Sequence, residues 1–348
     1  MTVSLSVVIP TYNKASYLAM TLASFQSQTL DDFEVVVIDD GSTDCTRELL
    51  AGWPDPRVRV LCQPNAGRSA ARNRGVAAAL GQWVVFCDDD RIAAPHFLEA
   101  HMRRLQARPD SLVIGFKHRV LTHWQSNLPL EDDEFKRIAH RLPERAPESG
   151  MPHLLCTPDD IRHDLAGVIE QWSLDDELDN YKDLVIACRG DLSRSPMAWA
   201  LATTANMSVA RDHLDGVDTF DEDYRGWGVE DNDLSFRLHR KGLAMCLERR
   251  AANHHQVHPL GRRTLEEDAQ QRGEECHYNL LRFCAKFDQL DSYLFWRSKF
   301  GMGLLKAQEW LLQARQDPLL HEELLNACRQ SLRAHAHPES PIFAHPAP

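Results

Sequence analysis

The sequence predicts an α/β protein: a mostly parallel sheet flanked by helices, with a helical appendage in its C-terminal part. Three observations predict it. Short apolar runs alternate with segments of helical period as far as Phe116. Polar residues collect where three of those runs end, the edge at which such sheets bind ligands. Beyond Gly261 the apolar residues recur at helical spacing.

Residues 5–9 read as a buried strand closed by Pro10, which has no backbone donor, and Thr11-Tyr12-Asn13 follows as a loop. Leu18, Leu22 and Phe25 recur at i, i+4 and i+7 on one helix face. Residues 35–38 form a second buried strand. Asp39-Asp40-Gly41-Ser42 then supplies turn chemistry, and Ser42 or Thr43 caps a helix through Leu50. Val58 and Val60 alternate with arginines, as a short third strand would. The loop Asn65-Ala66-Gly67 leads into an alanine-rich helix over 68–80, and residues 83–86 form the fourth strand. A helix over 95–107 and a strand over 112–116 complete this half.

From 118 to 198 the pattern weakens into acids, bases and prolines, with a local helical run over 161–172. This stretch is either an insertion that shapes an acceptor site or a solvated excursion. Apolar character resumes over 201–209, residues 231–241 are helical with Gly242 as their stop, and 243–247 form a strand. Downstream, Leu280, Leu281, Cys284 and Phe287 share a helix face, as do Phe300, Leu304, Leu311 and Leu312. Such stripes serve a core or a surface through which two copies pair. The expected division is 1–117, 118–198, 199–260, 261–334 and a flexible proline- and histidine-rich tail over 335–348.

At 348 residues the chain is long enough for one large or two modest domains, and 43% hydrophobic with 26% charged residues is ordinary globular composition. A formal net charge of -12 argues against duplex nucleic acid or an anionic membrane as partner, while leaving phosphorylated substrates open through a bound cation. Nine scattered cysteines, without a paired-cysteine zinc pattern, read as reduced thiols. No apolar run approaches the roughly 20 residues of a membrane helix, and a strand begins almost at once, so a cytoplasmic protein without signal peptide or transmembrane segment is expected.

The chemistry gathers at Val84-Val85-Phe86-Cys87-Asp88-Asp89-Asp90, a buried strand ending in three acids. In an extended segment Asp88 and Asp90 point together and Asp89 elsewhere. Two such oxygens at a strand's carboxyl end seat a divalent metal on a diphosphate. Taken alone, an aspartate triplet is as well a charged loop tip; the rest of the chain argues otherwise.

The series Ile9-Pro10-Thr11-Tyr12-Asn13, Asp39-Asp40-Gly41-Ser42-Thr43-Asp44, Asn65-x-Gly67-x-x-x-Ala71-Arg72-Asn73-x-Gly75 and Asp88-x-Asp90 closely resembles family-2 glycosyltransferases of the GT-A fold. Gly226-Trp227-Gly228-x-Glu230-Asp231-Asn232-Asp233 is similar to the acceptor-side segment of galactosyltransferase-like and chondroitin-polymerase-like members. The likeness covers residues 3–116 and 200–258. It implies a nucleotide-sugar donor, usually a UDP-sugar, a divalent metal (Mn2+ or Mg2+) and inversion at the anomeric carbon.

Carried onto this chain, the resemblance places Pro10, Thr11, Tyr12 and Asn13 along the base and ribose. Asp39 accepts from the base's imide N–H, Asp40 stands nearby, and Asn65 and Gly67 belong to the donor loop. Arg72 approaches the diphosphate or sugar, and Asp88 and Asp89 lie by the ribose or sugar. The metal falls to Asp90 and a histidine after the last strand, His255 first, with His258 and Asp88 in reserve. Asp231 is the expected base, Glu230 grips acceptor hydroxyls, Trp227 offers a face for a sugar ring, and Asn206 contacts the donor sugar. Plainer readings stand beside these: an Asx turn for Asp39 and Asp40, a solvated arginine for Arg72, a helix start for Glu230 and Asp231, and a strand-edge polar residue for Asn206.

The expected activity is therefore an inverting, DXD-type, metal-dependent transfer to a glycan, small molecule or peptide. Two other readings are a nucleotide-sugar-binding module without catalysis and a sugar-phosphate nucleotidyltransferase. The latter lacks its glycine-rich basic signature here, where Pro10-Thr11-Tyr12-Asn13 stands instead.

Overall fold

A computed structural model describes residues 3–125, 127–143, 152–174, 182–214, 219–260 and 263–335. Among the described residues ten strands run in chain order as β1 (Leu5–Thr11), β2 (Phe33–Asp39), β3 (Val58–Cys62), β4 (Trp83–Cys87), β5 (Arg91–Ala93), β6 (Ser111–Val120), β7 (His123–Trp124), β8 (His153–Leu154), β9 (Asn206–Ala210) and β10 (Ala244–Gln256). All but β7 and β8 join one sheet in the order β3-β2-β1-β4-β9-β6-β10-β5. It is mostly parallel, as expected: β1 pairs in parallel with β2 and β4, β2 with β3, and β6 with β10. Strand β9 runs against β4 and β6, and β5 runs against β10.

The apolar runs follow from burial of both sheet faces. Val8, Val36, Ile38, Val84 and Phe86 point into one core, while Val7, Val35, Val37 and Val85 point into another. Helices α1 (Ala15–Gln26), α2 (Thr46–Ala51), α3 (Arg68–Ala78) and α4 (Phe97–Ala107) are the crossovers. Leu18, Leu22 and Phe25 of α1 bury their predicted face beside Phe97 and Leu105 of α4. Helix α3 packs on the opposite face at Gly75, where a Cβ would come within 2.4 Å of Val8 and 2.6 Å of Ile38. Only glycine permits that approach.

Within 118–198 lie α5 (Asp132–Ile138), α6 (Pro158–Trp172) and α7 (Lys182–Ala187). The described part is packed: Ile161, Leu165, Val168 and Trp172 of α6 close a core with Met20 and Ala23 of α1 and Val120 of β6. Then come α8 (Glu230–Arg240), α9 (Leu265–Phe287), α10 (Leu290–Arg297), α11 (Leu304–Ala314) and α12 (Pro318–His335). Leu280, Phe283, Cys284, Leu294 and Phe295 share one hydrophobic cluster with Val8 and Phe86 of the sheet. The stripe of α9 thus fills core, and of the second stripe Leu311 is buried whereas Phe300 and Leu312 are exposed. The expected tail over 335–348 lies, His335 apart, outside the described residues.

Two strands depart from expectation. Strand β6 continues to Val120, and β10 continues to Gln256 across an irregularity between Glu248 and Ala252. The charged Glu248-Arg249-Arg250 step interrupts the apolar pattern, and the edge strand β5 then pairs with the extension. His255 therefore lies inside the last strand and not after it. Among the described residues no helix is long and apolar enough to cross a membrane.

Candidate active site

The carboxyl ends of β1, β2 and β4 lie side by side, because the three strands are parallel neighbours. Asn13, in the left-handed region at φ 54, braces the first two loops: its Oδ1 accepts from the N–H groups of Thr43 and Asp44 at 2.7 and 3.2 Å. Pro10 is half-buried within β1, Thr11 is buried at its end, and the Tyr12 ring is exposed beyond it. Asp39 is fully buried; Oδ1 accepts from Ser42 N–H at 2.8 Å and Oδ2 from Arg47 Nε at 3.0 Å. Burial opposes its ionisation, but the bonds from Ser42 and Arg47 outweigh that and hold its pKa down. Asp40 receives Gln63 Nε2, Ala66 N–H and Gly67 N–H at 2.8–2.9 Å, fixing the exposed Asn65–Gly67 loop that starts α3.

The acid triplet is a turn between β4 and β5, so the alternation expected of an extended strand does not apply. Asp88 and Asp90 consequently part company. Asp88 accepts from Arg72 Nη2 at 3.0 Å. Asp90 meets His258 Nε2 at 3.3 Å and His255 Nε2 at 3.5 Å, with Arg91 and Lys14 at 3.8 and 3.9 Å. The strand pairing brings this about: Arg91 lies opposite His255, and Gln256 N–H donates to Asp90 C=O at 2.9 Å. Buried Gln256 locks the region through Tyr17 C=O at 2.9 Å and the Thr122 hydroxyl at 3.1 Å.

Asp90, His255 and His258 each offer a ligand atom, all within 4.8 Å of one another. Ligands about 2.1 Å from a divalent ion lie roughly 3–4 Å apart, which the two distances from Asp90 match. Burial works against Asp90's ionisation, but His255, His258 and Arg91 outweigh it and hold its pKa well below the usual carboxylate range. Burial, only partly offset by Asp90, lowers His255, which keeps its imidazole neutral and its lone pair available. Next door, burial and the Asp90 charge push Asp89 up. An ionised carboxylate with two imidazoles fits Mn2+ at least as well as Mg2+. Asp88, the further reserve ligand, is not in this group.

Across from it, Arg72 Nη1 donates to Glu230 Oε1 at 2.9 Å, both side chains being 5% exposed. Arg72 is thus a buried bridge, not a solvated arginine. Glu230 and Asp231 open α8, where acids suit the helix dipole. Burial, then the charge of Glu230, pushes Asp231 up to about 7, against the pull of Arg72. Trp227 lies outside at 44% exposure, with Arg272 6.0 Å from its ring centroid.

Asn206, expected at the donor sugar, spends its amide on protein partners. It is fully buried in β9; Oδ1 accepts from His101 Nε2 at 3.0 Å, and Nδ2 donates to Phe116 C=O and Ala251 C=O at 2.9 Å. Its amide is consumed inside the sheet, by partners from three other elements. The residues that sequence reasoning missed are Arg91 and the polar face of α9 formed by Glu275, Asn279, Arg282 and Lys286. Its 4-3-4 spacing was the available signal.

Residues 6–157 match the family described as Glycosyl transferase family 2, and residues 188–258 match the N-terminal domain of galactosyltransferase. The validoxylamine A glucosyltransferase of Streptomyces hygroscopicus subsp. jinggangensis (strain 5008) is 32% identical over 335 residues, 91% of this chain and 71% of that protein. The chondroitin synthase of Escherichia coli is 28% identical over 260 residues, 73% of this chain and 35% of that one. Among solved structures, S. aureus TarS 1–349 superposes with a TM-score of 0.52 at 18% identity, covering 86% of this chain and 73% of that one. Its complex with UDP-GlcNAc gives the same TM-score at 17% identity. These superpositions identify the fold as GT-A.

Proposed function

The chain belongs to glycosyltransferase family 2, and from that premise we propose that it transfers a sugar from a UDP-sugar to an acceptor hydroxyl with inversion and with a divalent metal. The observation that carries the reading is the convergence of Asp90, His255 and His258 within 4.8 Å at the carboxyl edge of the sheet. The neighbour solved with UDP-GlcNAc supports a nucleotide-sugar donor. The two relatives are named for validoxylamine A and for chondroitin, so a hydroxylated small molecule or a glycan is the proposed acceptor.

In this reading Asp90, His255 and His258 hold the ion, with Mn2+ preferred. When bound, it supplies a Lewis acid that neutralises charge on the departing diphosphate. Lys14 and Arg91, too far from Asp90 to hydrogen-bond it, add positive charge on the same side. Tyr12 lies along the base, and Asp39 takes the imide N–H once the exposed Arg47 swings away. Asp231, ionised, takes the acceptor hydroxyl's proton as that oxygen attacks the anomeric carbon opposite the leaving diphosphate. Trp227 gives the acceptor ring an apolar face, and Glu230, expected to grip acceptor hydroxyls, instead holds Arg72 against Asp88.

The test is UDP release from UDP-glucose and UDP-GlcNAc with Mn2+, wild type against Asp231→Asn. Loss of roughly 10²–10⁴-fold is expected of a general base. Near-normal turnover in the variant removes Asp231 from that role.

A further inference from the structure

We propose that Asn279, seconded by Glu275, is a positioning residue for transfer: through it, helix α9 aims the loop that carries Trp227, Glu230 and Asp231. The role of that loop rests on the reading above; the grip itself does not.

The loop is strained. Gly226, Gly228 and Val229 have φ of 64°, 93° and 80°. A β-branched residue rarely enters the left-handed region and persists there only where its surroundings over-determine it. Here α9 supplies those surroundings. Asn279 is fully buried; its Oδ1 accepts from Arg225 N–H at 3.2 Å and its Nδ2 donates to Arg225 C=O at 2.8 Å. That is the pairing a neighbouring strand would offer. The same Nδ2 donates to Gly228 C=O at 2.8 Å. One turn earlier, Glu275 Oε2 accepts from Trp227 N–H at 2.8 Å, and a Cβ at 226 would lie 2.6 Å from its carboxyl group.

Farther along the same face, Arg282 and Lys286 bind Asp221 at 3.0 and 2.9 Å, and Lys286 reaches buried Asp233 at 2.8 Å. The four residues stand at i, i+4, i+7 and i+11, one side of a helix. From the donor half, Asn73 grips the backbone of Phe220 likewise, with N–H and C=O bonds of 2.8 and 2.9 Å. The segment is clamped at both ends, and α8 begins directly after the strained Val229. The direction of Asp231 is therefore set from α9.

Hydrogen exchange on the full chain tests the proposal, with UDP affinity and UDP-glucose turnover in Mn2+ alongside. In Asn279→Ala, exchange over residues 224–231 should quicken roughly tenfold or more while β1 and β2 keep their protection. UDP affinity should be unchanged and turnover should fall about 10²-fold, the effect of misaimed groups. Should Asn279→Ala fail to fold, Glu275→Ala should loosen the same peptides and Glu275→Gln, which keeps the acceptor for Trp227 N–H, should not. Unchanged exchange over 224–231, or a parallel loss of UDP affinity and turnover, overturns the proposal whatever Asp231→Asn does. Faster exchange beside a fully active Asp231→Asn upholds the grip and removes only the base.

Discussion

Arg72 and Glu230, 158 positions apart in the chain, meet in a buried ion pair at 2.9 Å. The pair joins the segment matched by glycosyltransferase family 2 to the one matched by the galactosyltransferase domain. Arg72 spans the junction, since its other arm holds Asp88 at the end of β4. Such a pair adds little net stability over apolar residues of similar size, so its value is geometric. It fixes the start of α8 against the donor edge of the sheet.

Arg72→Ala should cost about 3–5 kcal/mol in denaturant unfolding, because it strands the Glu230 carboxylate in the interior. Adding Glu230→Gln should recover part of that loss. Equal destabilisation of the single and double variants would show that the pair is not the cause.

Transfer should depend on pH through Asp231, which burial and Glu230 push up to about 7. Below that value the carboxyl is protonated and cannot accept a proton, so the rate should rise with pH through about 7 and level off above it. Removing the like charge with Glu230→Gln should shift the midpoint down, and removing the opposite charge with Arg72→Ala should shift it up. A flat pH–rate profile would contradict the assignment.

Asp40→Ala should cost about 1–3 kcal/mol in thermal or denaturant unfolding. It leaves the N–H groups of Ala66 and Gly67 without their acceptor at the start of α3. Asp40→Asn, which keeps an acceptor oxygen, should cost less.

Phe283→Ala should lower stability by about 3–5 kcal/mol. Phe283 is fully buried in α9, with ring centroids 5.4–5.7 Å from those of Phe236, Phe295 and Trp199. If the C-terminal helices were a detached appendage, the unfolding of the sheet would not move.

The parallel sheet was legible because both its faces are buried, so each strand reads as an apolar run between helical periods. The behaviour of the acid triplet was not. The chain turns after Cys87, as the loop-tip reading of the triplet allows, but no local pattern shows that the turn sends Asp88 to Arg72 and Asp90 to the histidines. Strand β10 was read short because Glu248-Arg249-Arg250 breaks its apolar pattern at the irregularity. The sequence puts His255 first, yet His258 lies slightly nearer Asp90, at 3.3 against 3.5 Å. Asn206 misled for a related reason: its partners, His101, Phe116 and Ala251, come from distant stretches of chain. The same holds for Asn279, whose spacing on α9 is visible but whose partners in the 225–228 loop are not.

The central claim, that Asp90, His255 and His258 grip a nucleotide diphosphate through one ion, is tested most directly by calorimetric titration of UDP into the full chain with Mn2+ and with EDTA. The account predicts tight binding only with Mn2+, and loss of that metal dependence in both Asp90→Ala and His255→Ala. Equal UDP affinity with and without the ion, or unchanged Mn2+ dependence in Asp90→Ala, would contradict it.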